Sequence, residues 1–210
     1  MRKRFRNEVS VKNKLDSLFY TRLFASERKQ IALMADEKPP ARISRRLFAT
    51  SRSEMRIKME ILYKVHDNLY VNLTNRCPYA CTFCLRQTMD RIGESGRLWL
   101  EREPSAQEVI EEFDKFNMDD YREVVFCGFG EPTEAFETLK EVAAFVKKKY
   151  NKPIRINTNG AGNLINKRDI VPELEGIIDT VSISLNNPDK KKYSELVRSK
   201  FGESSFDEML

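Results

Sequence analysis

The sequence predicts an α/β protein built on a parallel sheet, either closed as a partial barrel or left open. Two observations predict it. Between Lys58 and Leu210, short β-branched and aromatic runs alternate with amphipathic helical stretches, which implies parallel strands joined by crossover helices. The chemically conspicuous residues also fall at equivalent places. Cys77 to Cys84, Gly128 to Glu131, Thr158 to Gly160, and Ser184 with Asn186 each follow the end of an expected strand. Parallel α/β folds build their sites at the C-terminal ends of the strands.

The elements follow in order. Residues 69–74 read as the first core strand, with Ile61-Leu62-Tyr63 as an edge strand or hairpin partner. Ser105, with Glu108 three residues on, forms a capping box, and Val109, Ile110, Phe113 and Phe116 give that helix its apolar face. Residues 124–127 are the second core strand. Thr133 is expected to cap the next helix, in which Phe136, Leu139, Val142 and Val146 share a face. Residues 154–157 form the third core strand, turning at Asn159-Gly160. A short helix over 168–174 stops at Gly176. Residues 181–185 are the fourth core strand. Asn187 as N-cap and Pro188 as first helical residue open the last full helix, which runs through Val197. Ser205 and Glu208 look like a further capping box, and no fifth core strand follows.

Charge divides the chain. Residues 1–54 hold 14 Lys/Arg against 6 Asp/Glu, whereas 55–210 hold 23 against 26. The basic balance therefore belongs to the N-terminal segment, and the remainder is not marked as a nucleic-acid binder. An amphipathic helix is expected over residues 11–34, ended by Lys38-Pro39-Pro40 and followed by a basic patch of Arg42, Arg45 and Arg46. The segment reads either as an arm for nucleic acid or an acidic partner, or as a poorly ordered extension with no role. Met55 and Met59 stand just before the first strand as candidate native starts, so a boundary at 54/55 is expected. No apolar run reaches the roughly 18 residues of a membrane span. No signal segment is visible, and 4 cysteines are too few for a stapled secreted fold, so a reducing, cytoplasmic setting is expected.

Cys77, Cys81 and Cys84 form a CxxxCxxC run. Thiolates at this spacing suit three irons of a 4Fe–4S cluster, leaving the fourth open to another molecule. Zinc held by three cysteines and a histidine is the competing reading, with His66 as the one histidine. The fourth cysteine, Cys127, lies in an apolar strand and reads as core.

The stretches LYVNLTNRCPYACTFCLR, VVFCGFGEPT, IRINTNG and VSISLNNPDKKKY, in that order, resemble the radical S-adenosylmethionine (radical SAM) enzymes, and most closely the radical SAM proteins associated with TatD-type nucleases. The resemblance runs from Ile61 to Leu210. It implies a partial (β/α) barrel, truncated after the fourth core strand since the family's usual core has six, with the basic segment as an N-terminal extension. It implies a 4Fe–4S cluster on Cys77, Cys81 and Cys84, with S-adenosylmethionine on the open iron. One electron would then cleave that cofactor to methionine and a 5′-deoxyadenosyl radical, which acts on a substrate left unknown. By the family's pattern Phe83 lies near the adenine. Gly128-Phe129-Gly130-Glu131 stands for the family's GGE motif, with Gly128, Gly130 and Glu131 toward the methionyl amino group. Ser184 and Asn186 face the ribose or carboxylate. Phe83 also reads as a core aromatic, Ser184 and Asn186 as turn residues, and Thr158 and Asn159 as turn chemistry. Trp99 lies in the loop from Arg86 to Arg102 with Arg86, Arg91 and Arg97, and reads as part of a site for an anionic substrate, as a cover for the active face, or as an anchor for the first helix. The implied partners are an electron donor such as flavodoxin or ferredoxin and a TatD-type nuclease, with no membrane. The alternative functions are a non-enzymatic zinc or structural iron–sulfur module and an inactive fragment.

Overall fold

The structure, a computed structural model, describes residues 60–210, all within one compact unit that spans Met55–Leu210. The expected helix over 11–34 and the arginine patch lie outside the described residues. Five strands, β1 (Leu62–Val65), β2 (Asn68–Val71), β3 (Glu123–Phe126), β4 (Ile154–Thr158) and β5 (Thr180–Ile183), form one sheet in the order β1-β2-β3-β4-β5. The pairs β2–β3, β3–β4 and β4–β5 are parallel, and β1 pairs antiparallel with β2. The hairpin between β1 and β2 turns on His66 and Asp67, with Val65 opposite Asn68 and His66 in the left-handed region at φ 52°.

Among the described residues there are six α-helices: α1 (Ala106–Glu112), α2 (Phe136–Tyr150), α3 (Gly162–Asn166), α4 (Val171–Leu174), α5 (Lys190–Val197) and α6 (Ser204–Met209). Alternation sorts the side chains of the central strands. Leu69, Val71, Val124, Phe126, Ile154 and Ile156 are buried with Val109 and Phe113 of the α1 region and with Leu139, Val142 and Val146 of α2. Each such side chain contributes about 1.5–3 kcal/mol by leaving water. The other face is more polar: it carries Tyr70, Asn157 and the Arg155–Glu123 ion pair at 2.7 Å. Burial falls off sharply at β5, where only Ser182 is partly covered and Val181 and Ile183 are exposed.

Some caps differ from expectation. Ser105 and Glu108 do form the reciprocal box at α1. Thr133 caps nothing: it sits inside a 3-10 turn, Pro132–Ala135, whose N-cap is Glu131. Helix α5 is capped by Asp189, not Asn187, because Asn187 Oδ1 is taken by the Asp189 amide and Asp189 Oδ1 accepts from Lys192 N. Ser205 does not cap α6, since its hydroxyl donates to the Gly202 carbonyl. The single helix expected over 168–174 is replaced by α3 and α4, which flank a left-handed Lys167.

Candidate functional site

The cysteine run leaves the C-terminal end of β2 as a loop fastened on three sides. At its entry, Arg76 grips Glu103 with two nitrogens at 2.6 and 2.9 Å and donates to the Glu134 carbonyl at 2.6 Å. Asn75 pairs with both backbone groups of Leu100. On its far side the loop is laced to the chain after α5. Ala80 N donates to Val197 O, Thr82 N to Leu196 O, and Lys200 N to Pro78 O. Tyr79 bridges Ser199 and hydrogen-bonds the Tyr193 hydroxyl. At its exit a 3-10 turn, Leu85–Gln87, follows Cys84, and Gln87 Nε2 returns to the Cys81 carbonyl at 2.6 Å. An open groove of about 770 Å³ runs beside this loop, lined by Arg76, Cys77, Tyr79, Arg86 and Lys200 among others.

Cys77, Cys81 and Cys84 are free thiols, partly exposed. Burial pushes the Cys77 thiol up, and it pushes Cys81 up to about 12 with help from the neighbouring sulfurs of Cys77 and Cys84. Arg86 pulls the other way at both. Such thiols stay protonated until a metal takes the proton's place, so loading releases protons. Among the described residues no three His, Cys, Asp or Glu side chains are gathered to hold a single metal ion. A cubane asks for a different arrangement, one thiolate on each of three irons, and the cysteine-only donor set fits it. The zinc reading loses its histidine: His66 sits in the β1–β2 turn, at the opposite end of β2 from the cysteines. Cys127 lies just past β3, with burial pushing its thiol up to about 11, next to Asn157.

Beside the cysteine loop stands the glycine turn. A Cβ on Gly130 would lie 2.2 Å from the Thr74 carbonyl oxygen and 2.6 Å from that of Arg76. Only glycine lets this turn sit against the base of the loop, where Glu131 N donates to Arg76 O at 2.8 Å. A Cβ on Gly128 would lie 2.1 Å from Asn72 Oδ1. That oxygen is buried and has no hydrogen-bond partner, while the Asn72 Nδ2 serves the carbonyls of Glu60 and Leu98.

Glu131 is buried, and its carboxylate is taken up by the protein. Oε1 accepts from Thr133 N at 3.2 Å, Thr133 Oγ1 at 2.8 Å and Thr158 Oγ1 at 2.7 Å; Oε2 accepts from Asn159 N at 2.8 Å. Burial pushes its pKa up, against the pull of these donors. Three donors crowd Oε1, and one reaches Oε2, so the carboxylate is held mainly by protein groups. Glu131 therefore acts as a latch between the ends of β3 and β4. Thr158 and Asn159, expected to be turn chemistry alone, are its partners, and Asn159 Nδ2 also points at Cys77 Sγ from 3.9 Å.

Phe83 is 51% exposed, so it is not the core aromatic of the second expectation. Ser184 is exposed and Asn186 partly so; Ser184 N donates to Thr158 O, which places both residues beyond the shared end of β4 and β5. Trp99 packs edge-on against Phe129 at 5.2 Å, so the long loop folds over the glycine turn and does not anchor α1. Arg86, read from the sequence only as one of three arginines in a loop that could bind an anionic substrate, donates instead to the carbonyls of Asn75, Tyr79 and Phe129.

A mostly parallel α/β sheet with a three-cysteine loop and a glycine turn at the C-terminal strand ends defines a cofactor-binding α/β class. The Radical SAM superfamily model matches residues 71–210, and the chain belongs to that superfamily. Among solved structures, the chain is similar to the crystal structure of a radical SAM methyltransferase from Sphaerobacter thermophilus, at 19% identity and a TM-score of 0.46. That match covers 65% of this chain and 40% of the other, so this chain spans well under half of that structure's length. No curated protein matches the sequence. Among the described residues no helix is long and apolar enough to cross a membrane.

Proposed function

We propose that this chain is a radical SAM enzyme whose cluster is held by Cys77, Cys81 and Cys84. The observation that carries the reading is the placement of the three-cysteine loop against the glycine turn, with Gly130 packed on the loop's base and Asn159 joining Glu131 to Cys77. A reduced cluster of this kind supplies the electron that cleaves S-adenosylmethionine to methionine and a 5′-deoxyadenosyl radical. The chain's own part is positional. Gly128 and Gly130 keep the turn bare of side chains, Glu131 holds that turn to β4, and Phe83 offers an exposed ring beside the loop for the adenine. Ser184 and Asn186 offer polar groups at the end of β5 for the ribose or carboxylate. In this reading Glu131 contributes through the backbone it fixes, since its carboxylate already accepts from Thr133, Thr158 and Asn159.

The same reading places the sheet in a partial (β/α) barrel and requires an external one-electron donor of flavodoxin or ferredoxin type, in a reducing, cytoplasmic compartment. The likeness to TatD-associated proteins adds a TatD-type nuclease as partner. The substrate stays open, because a fold does not name one.

Anaerobic reconstitution tests the proposal. About four iron and four sulfide per chain are expected. S-adenosylmethionine should alter the electron paramagnetic resonance spectrum of the reduced cluster, and dithionite should then yield 5′-deoxyadenosine. A fully loaded cluster whose spectrum ignores S-adenosylmethionine would leave a structural iron–sulfur module as the better account.

A further inference from the structure

We propose that Arg86 is a positioning residue for the cluster: its guanidinium pins the cysteine loop to the glycine turn and, as a positive charge beside the thiolates, raises the cluster's reduction potential. The inference rests on the cluster reading above and goes beyond it, since Arg86 is no ligand.

Three contacts carry the first half. Nη1 donates to Asn75 O at 3.0 Å and to Phe129 O at 3.3 Å, and Nη2 to Tyr79 O at 3.4 Å. These carbonyls belong to the start of the loop, to its first turn after Cys77, and to the glycine turn after β3. One planar fork thus joins three segments. Arginine suits the task because its donors are fixed in a plane; a lysine ammonium cannot span the same three acceptors with equal economy of geometry.

The second half rests on what Arg86 lacks. Neighbouring arginines have carboxylates: Arg76 has Glu103 and Glu134, Arg91 has Asp90, and Arg102 has Glu108. Arg86 is partly buried, and every partner it has among the described residues is a neutral carbonyl. A cation removed from water without a counter-charge is costly. Arg86 lines the same groove as Cys77 and donates to the carbonyls of Asn75 and Tyr79, which flank that cysteine on either side, so its charge lies beside the thiolates that would hold the cluster. Three thiolates on an oxidised cubane leave a net negative charge, and one added electron deepens it. A nearby positive charge therefore favours the reduced form, and net charge is one of the levers that set such potentials.

The test uses the full chain with Arg86→Met, which removes charge and fork, and Arg86→Lys, which keeps the charge alone. All are reconstituted anaerobically and titrated with dithionite while the reduced-cluster signal is followed. Arg86→Met should shift the midpoint to more negative values by at least a tenfold change in the reduction equilibrium, about 59 mV for one electron. Arg86→Lys should stay within a few-fold of wild type in potential and load less iron, because the clamp is loosened. Equal iron content and an unchanged midpoint in Arg86→Met would overturn the inference. Should Arg86→Met take up no iron, Arg86→Lys decides: substantial loading supports a role for charge, and failure as complete as that of the methionine variant overturns it. A wild-type chain that loads no cluster would instead overturn the site reading itself.

Discussion

Glu131 and Asn159, at the ends of neighbouring parallel strands, are joined by a 2.8 Å hydrogen bond from the Asn159 amide to the Glu131 carboxylate. Because Asn159 also faces Cys77, the latch reaches from the glycine turn to the first cysteine. Replacing Glu131 with Gln keeps the size but turns an NH2 toward a ring of donors. An unsatisfied buried polar group costs about 1–3 kcal/mol, so Glu131→Gln should lower stability by that order in urea unfolding of the cluster-free chain. A loss below about 0.5 kcal/mol, the usual range of surface substitutions, would rule out the latch.

Gly130→Ala tests the close approach of turn and loop. The new methyl meets backbone oxygens of Thr74 and Arg76, which cannot step aside as a flexible side chain would. Overpacking of this kind costs about 1–3 kcal/mol. Gly93→Ala is the comparison: its Cβ meets nothing within 4 Å, and its cost comes from φ 56° alone. We expect Gly130→Ala to lose iron loading and Gly93→Ala to retain it; equal loading would show that the turn does not support the loop.

Cys77→Ala, Cys81→Ala and Cys84→Ala should each abolish cluster assembly, and Cys127→Ala should not, as read by iron content. Phe83→Ala should load normally and unfold at the wild-type urea concentration, since the ring is largely exposed. It should nonetheless require more S-adenosylmethionine to perturb the spectrum. Unchanged binding would remove Phe83 from the site.

Asp179 supplies a pH dependence away from the site. Burial tends to raise its pKa, but the Lys147 ammonium at 2.5 Å and the Ile154 amide at 2.6 Å outweigh that and leave it lowered. A carboxylate with a depressed folded pKa stabilises the fold above its unfolded value, near 3.9, and loses that contribution as pH falls through the folded value. Asp179→Asn should therefore lower the urea midpoint at pH 7 and narrow its gap to wild type as pH approaches 3. A constant gap between pH 7 and pH 3 would show that the pair does not titrate with folding.

The strands were legible because burial on the helix-facing side leaves a period-two mark, as in Ile154-Arg155-Ile156, and the hairpin was legible in Ile61-Leu62-Tyr63. The Ser105–Glu108 box was legible because both halves lie within one turn. Caps that depend on competition were not. Thr133 looks like a cap, but its hydroxyl and amide both go to Glu131, and Asn187 yields its place to Asp189. The candidate cluster cysteines stood out by their spacing. The role of Glu131 did not, since its partners Thr158 and Asn159 come from another strand, and local pattern says nothing about which acceptor a distant donor meets. Arg86 stood out only as a loop arginine that could meet an anionic substrate; its clamp did not, because two of its acceptors are backbone carbonyls more than ten residues upstream and forty residues downstream.

The outward strand β5, bare on both faces except at Ser182, has a kinetic consequence. Amide hydrogens there should trade with deuterium through local opening, well before those of β3, whose last three residues are buried. Ser184 and Asn186 follow that strand, so one shore of the site is loosely moored while the other is fixed. A ligand that spans the ends of β3 and β5 would tie the two together, slowing exchange at 180–183 while leaving 124–126 as slow as before. Deuterium uptake by peptides of β5 would then report occupancy of the site directly, with no need to know what the protein acts upon.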